Sequence, residues 1–366
     1  MTSTCSTVHH NQALGGSDRT ETQLAESEHP GKVIIRYLRE RSAEFRGLEE
    51  IRKRGWDKPQ GDVHFQNQRR NADHADSNTS KYFFKLMGGV ARELHESANA
   101  FKINPEQSQR PSILDMCMAP GGFLETALSY NPEAEALAFS LPPSIGGHQV
   151  LMQADSAVEQ RFLDVTMLAA DMGIEEIPES HQDASNFLPR QLKSHQLFDL
   201  VLCDGQVLRT HKRPSYREYG EARRLSTAQL AIGLEHLRPG GTMVVLLHKL
   251  EAWSTVNILW RFSRFSSLKV LKPRTSHVTR SSFYMIATKI QGRHPEAIRA
   301  IQSWKMAWKA ATFDLDDEYK LAALDGELSA EELLDNFGSD LVTLGRPVWK
   351  TQAQALEKAP WMRSGA

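Results

Sequence analysis

Two stretches of the chain combine residue types that could hold and use a ligand. In ILDMCMAPGGFLE (113–125), a short apolar run stops at Ala119-Pro120-Gly121-Gly122 and resumes as a good helix former. Glycines at a strand-to-helix turn let the backbone approach a bound group closely, and Pro120 stiffens that approach. In FDLVLCD (198–204), Asp204 follows an apolar strand candidate. Ligands of open α/β sheets bind outside the carboxyl ends of the strands. The Ala119–Gly122 turn, Ser140 and Asp204 all fall at such ends. Turns of this kind serve dinucleotides, phosphates or S-adenosylmethionine. The G-x-G-x-x-G pattern and the lysine-containing phosphate loop are absent, which removes two of the three common readings.

These residues need a scaffold, and the pattern around them supplies one. Strands are expected at Ser112–Cys117, Ala134–Ser140, Phe198–Cys203, Thr242–His248, Leu268–Lys272 and Ser282–Lys289. Between them, Ser226-Thr-Ala-Gln229 reads as a capping box opening a helix with Leu230, Leu234 and Leu237 on one face. Arg238-Pro239-Gly240-Gly241 should end that helix, and Trp253–Phe265 gives another. Alternating strands and helices argue for an α/β fold with a mainly parallel sheet covered on both faces. From Leu141 to Arg190, Pro, Gly and polar residues interrupt the pattern.

Four segments follow: a polar, disordered tail over 1–30, a charged helical extension over 31–110, the α/β domain over 111–290 and a helical extension over 291–366. Within the first extension, Gln66 to Ser80 reads as a loop. Trp304 and Trp308, four residues apart, should pack the last segment onto the main domain.

The 366 residues carry a formal net charge of −1, so nucleic-acid binding would have to come from local patches. Cys5, Cys117 and Cys203 have neither disulfide nor metal spacing. No signal-peptide core or membrane-length apolar run is present. An intracellular protein, cytoplasmic or nuclear and without a membrane partner, is the expectation. Composition is silent on oligomeric state.

SKYFFKL (80–86), ILDMCMAPGGF (113–123), FDLVLCD (198–204), LRPGGTMVVLLHK (237–249) and KVLKPRTSHVTRSSFYMIAT (269–288) occur in that order. Together they resemble the successive motifs of the FtsJ-like S-adenosylmethionine-dependent ribose 2′-O-methyltransferases, over about residues 78–290. The resemblance implies a Rossmann-like methyltransferase sheet with an antiparallel last strand. It also implies S-adenosyl-L-methionine held by Cys117, Ala119, Pro120, Gly121, Gly122, Phe123, Ser140, Asp164 and Asp204. A lysine–aspartate–lysine–glutamate set would fall on Lys85, Asp204, Lys249 and Ser282. Here serine replaces the family's glutamate, Ser140 its ribose-binding acid and Cys117 a glycine. Lys249 lies further past Gly240-Gly241 than the family pattern expects.

Methyl transfer from a sulfonium to a hydroxyl is an in-line displacement, in which positioning carries much of the catalysis. A lysine serves as base only when desolvation or a nearby cation lowers its pKa. Lys85 and Lys249 near a sulfonium would meet that condition, with Asp204 orienting them. Eight Lys/Arg and no Asp/Glu lie between Ala252 and Pro295; six basic residues against two acidic, with Tyr216 and Tyr219, lie between Arg209 and Arg224. Basic residues among aromatics suit an RNA backbone and unstacked bases. RNA is therefore the expected partner. A small-molecule O-methyltransferase and a catalytically weak RNA-binding protein remain the alternatives.

Overall fold

A computed structural model of the chain describes residues 28–56, 58–73, 77–104, 110–313 and 328–363. The elements in order are α1 (Pro30–Arg41), α2 (Ala43–Trp56), α3 (Pro59–Asp73), α4 (Ser77–Ala98), β1 (Ser112–Asp115), α5 (Gly122–Tyr130), β2 (Glu135–Ser140) and β3 (Val158–Phe162). They continue with β4 (Phe198–Cys203), α6 (Glu221–Glu235), β5 (Leu237–His248), α7 (Trp253–Ser263), β6 (Ser267–Leu271) and β7 (Ser282–Thr288). Helices α8 (Pro295–Phe313), α9 (Ala330–Glu357) and α10 (Pro360–Arg363) follow.

The seven strands form one sheet in the order β3-β2-β1-β4-β5-β7-β6. Neighbours from β3 through β5 pair in parallel, and β7 runs antiparallel to both β5 and β6. Because side chains alternate along a strand, each strand feeds two cores. Ile113, Leu200, Leu202, Val244 and Ile286 join Val90 and Leu94 of α4 and Leu124 of α5 on one face. Leu114, Val201, Val245 and Met285 join residues of α6 to α9 on the other.

The junction between α4 and α5 leaves no room for a side chain. A Cβ on Gly122 would lie 2.2 Å from the Phe84 carbonyl oxygen, and one on Gly121, at φ 109°, would lie 2.9 Å from Met152 Cβ. The APGG turn therefore does structural work as well: it lets α5 start hard against α4.

Three expectations about elements change. Most of Gln66–Ser80 is helical, since α3 runs to Asp73 and α4 begins at Ser77, with 74–76 outside the described residues. Ser226 lies inside α6, which starts at Glu221 after Gly220; the capping box that forms is Ser329 with Glu332 on α9. Arg238–Gly241 already belongs to β5 rather than to a helix stop. The polar segment before β4 also hides β3, whose half-exposed VEQRF lacks an apolar signature. Trp304 and Trp308 are buried, with Trp304 stacked on Phe262 at 5.8 Å. The expected tail lies outside the described residues up to position 27.

The extensions meet each other. Helix α9 packs on α1 and α2, where Phe45 and Trp349 make an edge-to-face contact at 5.3 Å. Trp361 on α10 packs on His64 at 4.1 Å and on Phe65 at 5.4 Å, and Lys58 Nζ donates to the Met362 carbonyl at 3.2 Å.

Candidate active site

A cavity of about 1040 Å³ opens along the carboxyl edge of the parallel strands. Its lining follows the strand order. Asp164 follows β3, Ser140 ends β2, Met116, Cys117, Ala119 and Pro120 follow β1, Asp204 to Gln206 follow β4, Leu246 lies on β5, and Thr275 to Arg280 form the loop entering β7. The antiparallel course of β7 delivers that loop to the same edge, with Ser282 opposite His248.

Of the residues expected to hold a cofactor, Cys117, Ala119, Pro120, Ser140, Asp164 and Asp204 line the cavity. Gly121, Gly122 and Phe123 stand behind it: the glycines are wedged at the α4–α5 junction and Phe123 stacks on Tyr284 at 5.5 Å in the core. The turn is tied down by Met118 N–H donating to the Phe139 carbonyl at 2.8 Å and Leu151 N–H to the Pro120 carbonyl at 2.9 Å.

Of the expected catalytic set, Asp204 lines the cavity and Lys85, Lys249 and Ser282 do not. Both lysines are exposed. On α4 the cavity is lined by Asn78, Thr79, Ser80, Tyr82, Phe83, Leu86 and Met87; Lys85 is one helical turn from Tyr82 but is exposed and outside the lining. Strand β5 presents Leu246 to the cavity and ends at His248, and Lys249 leaves it at φ 45°. Ser282 is buried away from the cavity, and its carbonyl accepts from Lys272 Nζ at 2.5 Å.

Electrostatics single out Asp204. Desolvation pushes its carboxyl up from the ordinary value to about 7. Asp115 at the end of β1 is pushed up as well, by burial and then by the Asp204 charge. Its Oδ1 accepts from the Cys117 N–H at 3.0 Å, while Oδ2 has no protein partner. The same is true of Ser140 Oγ. The Cys117 thiol is raised by burial and then by Asp204 and Asp115, so it is a neutral wall rather than a nucleophile.

Asp164 behaves differently. Its Oδ1 accepts from Thr166 N at 3.0 Å and Thr166 Oγ1 at 2.8 Å, and its Oδ2 accepts from Arg217 Nη2 at 2.7 Å. Burial works against the carboxylate, but the Arg217 charge and these hydrogen bonds hold its pKa below the usual range. Both oxygens are therefore spent inside the protein. Arg217 also donates to Glu221 at 2.6 Å, and Arg224 contacts Glu221 at 3.3 Å and the Thr166 carbonyl at 3.0 Å. His211 Nε2 lies 3.4 Å from Asp164 and Nδ1 lies 3.8 Å from Glu221. Asp164, His211 and Glu221 converge closely enough to suggest a cation site, but the Arg217 guanidinium already bridges the two carboxylates. Four of the basic residues counted toward RNA, Arg217, Arg224, Arg261 and Lys272, are buried; Tyr216 donates to Asp183 at 2.6 Å, and Tyr219 is fully exposed.

Lys272, which the motif reading passed over, organises the other end. Its ammonium donates to the carbonyls of His277 at 2.9 Å and Ser282 at 2.5 Å, and also to that of Arg280. Burial, then the charges of Arg52 and Arg280, lower its pKa to about 7. On α4, Glu93 accepts from the N–H groups of Arg274 and Thr275 at 2.8 and 3.0 Å. The loop is thereby pinned at both ends. Between about pH 7 and the ordinary lysine value of 10.5, the unfolded chain holds a proton that folded Lys272 does not, so this group makes stability rise with pH there. Replacement by methionine, Lys272→Met, should leave those carbonyls without their donor and speed amide exchange in 273–281 by roughly tenfold or more. Exchange mass spectrometry checks this; unchanged protection of the loop would refute the clamp. Only the position of Lys272 in the basic run before RTSHVTR hinted at it.

Comparison with known proteins adds independent findings. The FtsJ-like methyltransferase family matches residues 91–290. A ribosomal RNA small subunit methyltransferase B from Klebsiella pneumoniae is 30% identical over 149 residues, which is 38% of this chain and 30% of that protein. The chain thus spans under a third of that relative's length. Among solved structures, a ribosomal RNA methyltransferase from Plasmodium falciparum aligns with 16% identity and a TM-score of 0.34, covering 56% of this chain and 98% of that one. Human methyltransferase-like protein 13, solved with S-adenosylhomocysteine, aligns with 14% identity and a TM-score of 0.35, covering 64% and 99%.

Proposed function

The chain belongs to the FtsJ-like methyltransferase family, whose match spans more than half of its length, and from that premise we propose that this S-adenosylmethionine-dependent methyltransferase modifies a ribose 2′-hydroxyl of RNA. The observation that carries the reading is Asp204, a carboxyl at the end of a central strand. It stands between the turn after β1 and the loop entering β7. The Klebsiella relative's name points to ribosomal RNA as an acceptor class.

The residues present fit the methyl donor. Ser140 Oγ and Asp115 Oδ2, both buried and without protein partners, mark polar capacity beside β1 and β2. Of the closely packed turn, Ala119 and Pro120 line the cavity, with Gly121 and Gly122 wedged behind them. S-adenosylmethionine, when bound, supplies an electrophilic methyl on a positively charged sulfur. Asp204 offers the countercharge at that place, and the apolar wall of Met116, Leu246 and Tyr284 excludes water. Since Asp164 is committed to Arg217 and Thr166, adenine recognition falls to backbone and to apolar contacts with Leu163 and Val165.

In this reading acceptor activation does not rest on a lysine pair. Lys85, exposed on α4 one helical turn from Tyr82, would serve as a phosphate contact. Lys249 is outside the lining, and Leu246 occupies the cavity position on β5. Proton removal then rests on Asp204 or on solvent at the mouth. The deciding assay is transfer of labelled methyl to an RNA pool, with a 2′-deoxy pool as control. Label in RNA alone is the expected result. Equal label in both pools would refute ribose specificity, and label in neither, with the donor bound, would favour a small-molecule acceptor.

A further inference from the structure

The cavity is larger than the ~300–1,000 Å³ usual for one small ligand, at about 1040 Å³. Its two halves lie over different strands. The donor half lies at the ends of β3, β2 and β1; the other half lies at Leu246 of β5, Tyr284 of β7 and the loop between β6 and β7, with Asp204, just past β4, between them. The second half is walled by the β6–β7 loop, by α3 and α4, and by α10, so both helical extensions contribute to it.

Resting on the RNA reading above, we infer that this second half is a nucleobase subsite that receives one unstacked nucleotide, its ring against Tyr82 and its polar edge met by Ser276. Tyr82 lines the cavity although 60% of it is exposed, which leaves an aromatic face available at the mouth beside Phe83. Ser276 lines the same half, is 5% exposed, and its Oγ has no protein partner. A buried hydroxyl without a partner is costly unless something else meets it, and the polar edge of a base can do so.

The subsite is preorganised. The loop carrying Ser276 is pinned by Lys272 and Glu93, and Gln352 of α9 donates to the Thr279 carbonyl at 3.2 Å. Arg52 of α2 joins this frame by donating to Gln352 at 3.0 Å and to Glu251 at 2.6 Å. On the α3 side, Gln68 accepts from Arg280 at 3.0 Å and is 2.9 Å from His64, on which Trp361 packs. An aromatic face opposite a rigid polar rim is the arrangement by which single-stranded RNA bases are stacked and read. Duplex RNA presents its bases only in stacked form, so it would not enter.

The test uses the full chain, a labelled mixed-sequence single-stranded RNA oligonucleotide, and the same strand annealed to its complement. Anisotropy measures RNA binding, and calorimetry measures S-adenosylmethionine binding. Tyr82→Ala and Ser276→Ala are suited to this, because one side chain is exposed and the other hydroxyl holds nothing within the fold. Expected is a loss of single-strand affinity of roughly tenfold for Tyr82→Ala and severalfold for Ser276→Ala. Donor affinity should stay unchanged, and the duplex should bind more weakly than the single strand. Wild-type binding that both variants retain would overturn the subsite while leaving the RNA reading standing. Failure of the wild-type protein to bind any RNA while it binds the donor would overturn the RNA reading and the subsite with it.

Discussion

Asp204→Asn should lower the rate of methyl transfer by at least about 100-fold while leaving the fold intact. The carboxyl stands at the junction of the two halves of the cavity, where, under the proposed function, a positively charged donor meets a hydroxyl that must lose its proton. Asparagine keeps the shape but carries no charge, and removal of one preorganised electrostatic group at a reaction centre typically costs ~10²–10³ in rate. The acidity of the group gives the prediction a second handle. Desolvation raises its pKa to about 7, so below that value the carboxyl is neutral and the countercharge is missing. Turnover should rise with pH through about 7 and then level off, and Asp204→Asn should flatten that limb. The stability consequence has the opposite sign. Between the ordinary value of 3.8 and about 7, the fold holds a proton that the unfolded chain has released, so this group's contribution falls as pH rises. Single-turnover rates across about pH 5 to 9 check the first claim; a flat wild-type profile, or full activity in Asp204→Asn, would remove Asp204 from the chemistry.

The largest stability effect is expected from Arg217→Met. Arg217 is 5% exposed and lies within 4 Å of three carboxylates: Asp164 at 2.7 Å, Glu221 at 2.6 Å and Asp183 at 3.8 Å. Burial opposes its charge, yet hydrogen bonds to Glu221 and the attraction of Asp164 raise its pKa above the ordinary value. Without it, Arg224 is left to face Glu221 at 3.3 Å, and burial already lowers the Arg224 pKa. Breaking a buried pair from one side typically costs ~3–5 kcal/mol, because the partner charges stay behind. Urea titration should show a loss of that order. Adding Glu221→Gln should recover part of it, since one orphaned charge is then gone. A loss below about 1 kcal/mol would mean that solvent reaches these carboxylates freely.

Sequence patterning exposed the sheet better than it exposed the site. Strands β1, β2, β4 and β7 were legible because their apolar runs are largely buried on both faces and end in turn residues, and β6, though half-exposed, because apolar Leu268 and Val270 alternate with polar Ser267 and Lys269. VEQRF at β3 was not, because an edge strand with half-exposed side chains carries no apolar signature. The start of α6 was misplaced because Ser226 and Gln229 have capping-box spacing, while the helix begins at Glu221, drawn in by the ion pairs of Arg217 and Arg224. At the site, the turn and Asp204 were readable because both lie at strand ends fixed by local sequence. The positions of Lys85 and Lys249 depend on helix phase and on where β5 ends, which single-residue motifs do not encode. Lys272 and Ser276 owe their roles to carbonyl geometry in a loop and to walls brought from residues 64, 68 and 361. No local pattern in the sequence foretells such contacts.

The division of the cavity along the strand order bears on how the protein can change over descent. The donor half draws its residues from the stretch between Met116 and Asp204, whereas the opposite half draws on α3, α4, the loop before β7 and α10. Substitutions that alter what is methylated can therefore accumulate in segments that never touch the methyl donor. Asp204, common to both halves, is the position at which the two histories are tied together.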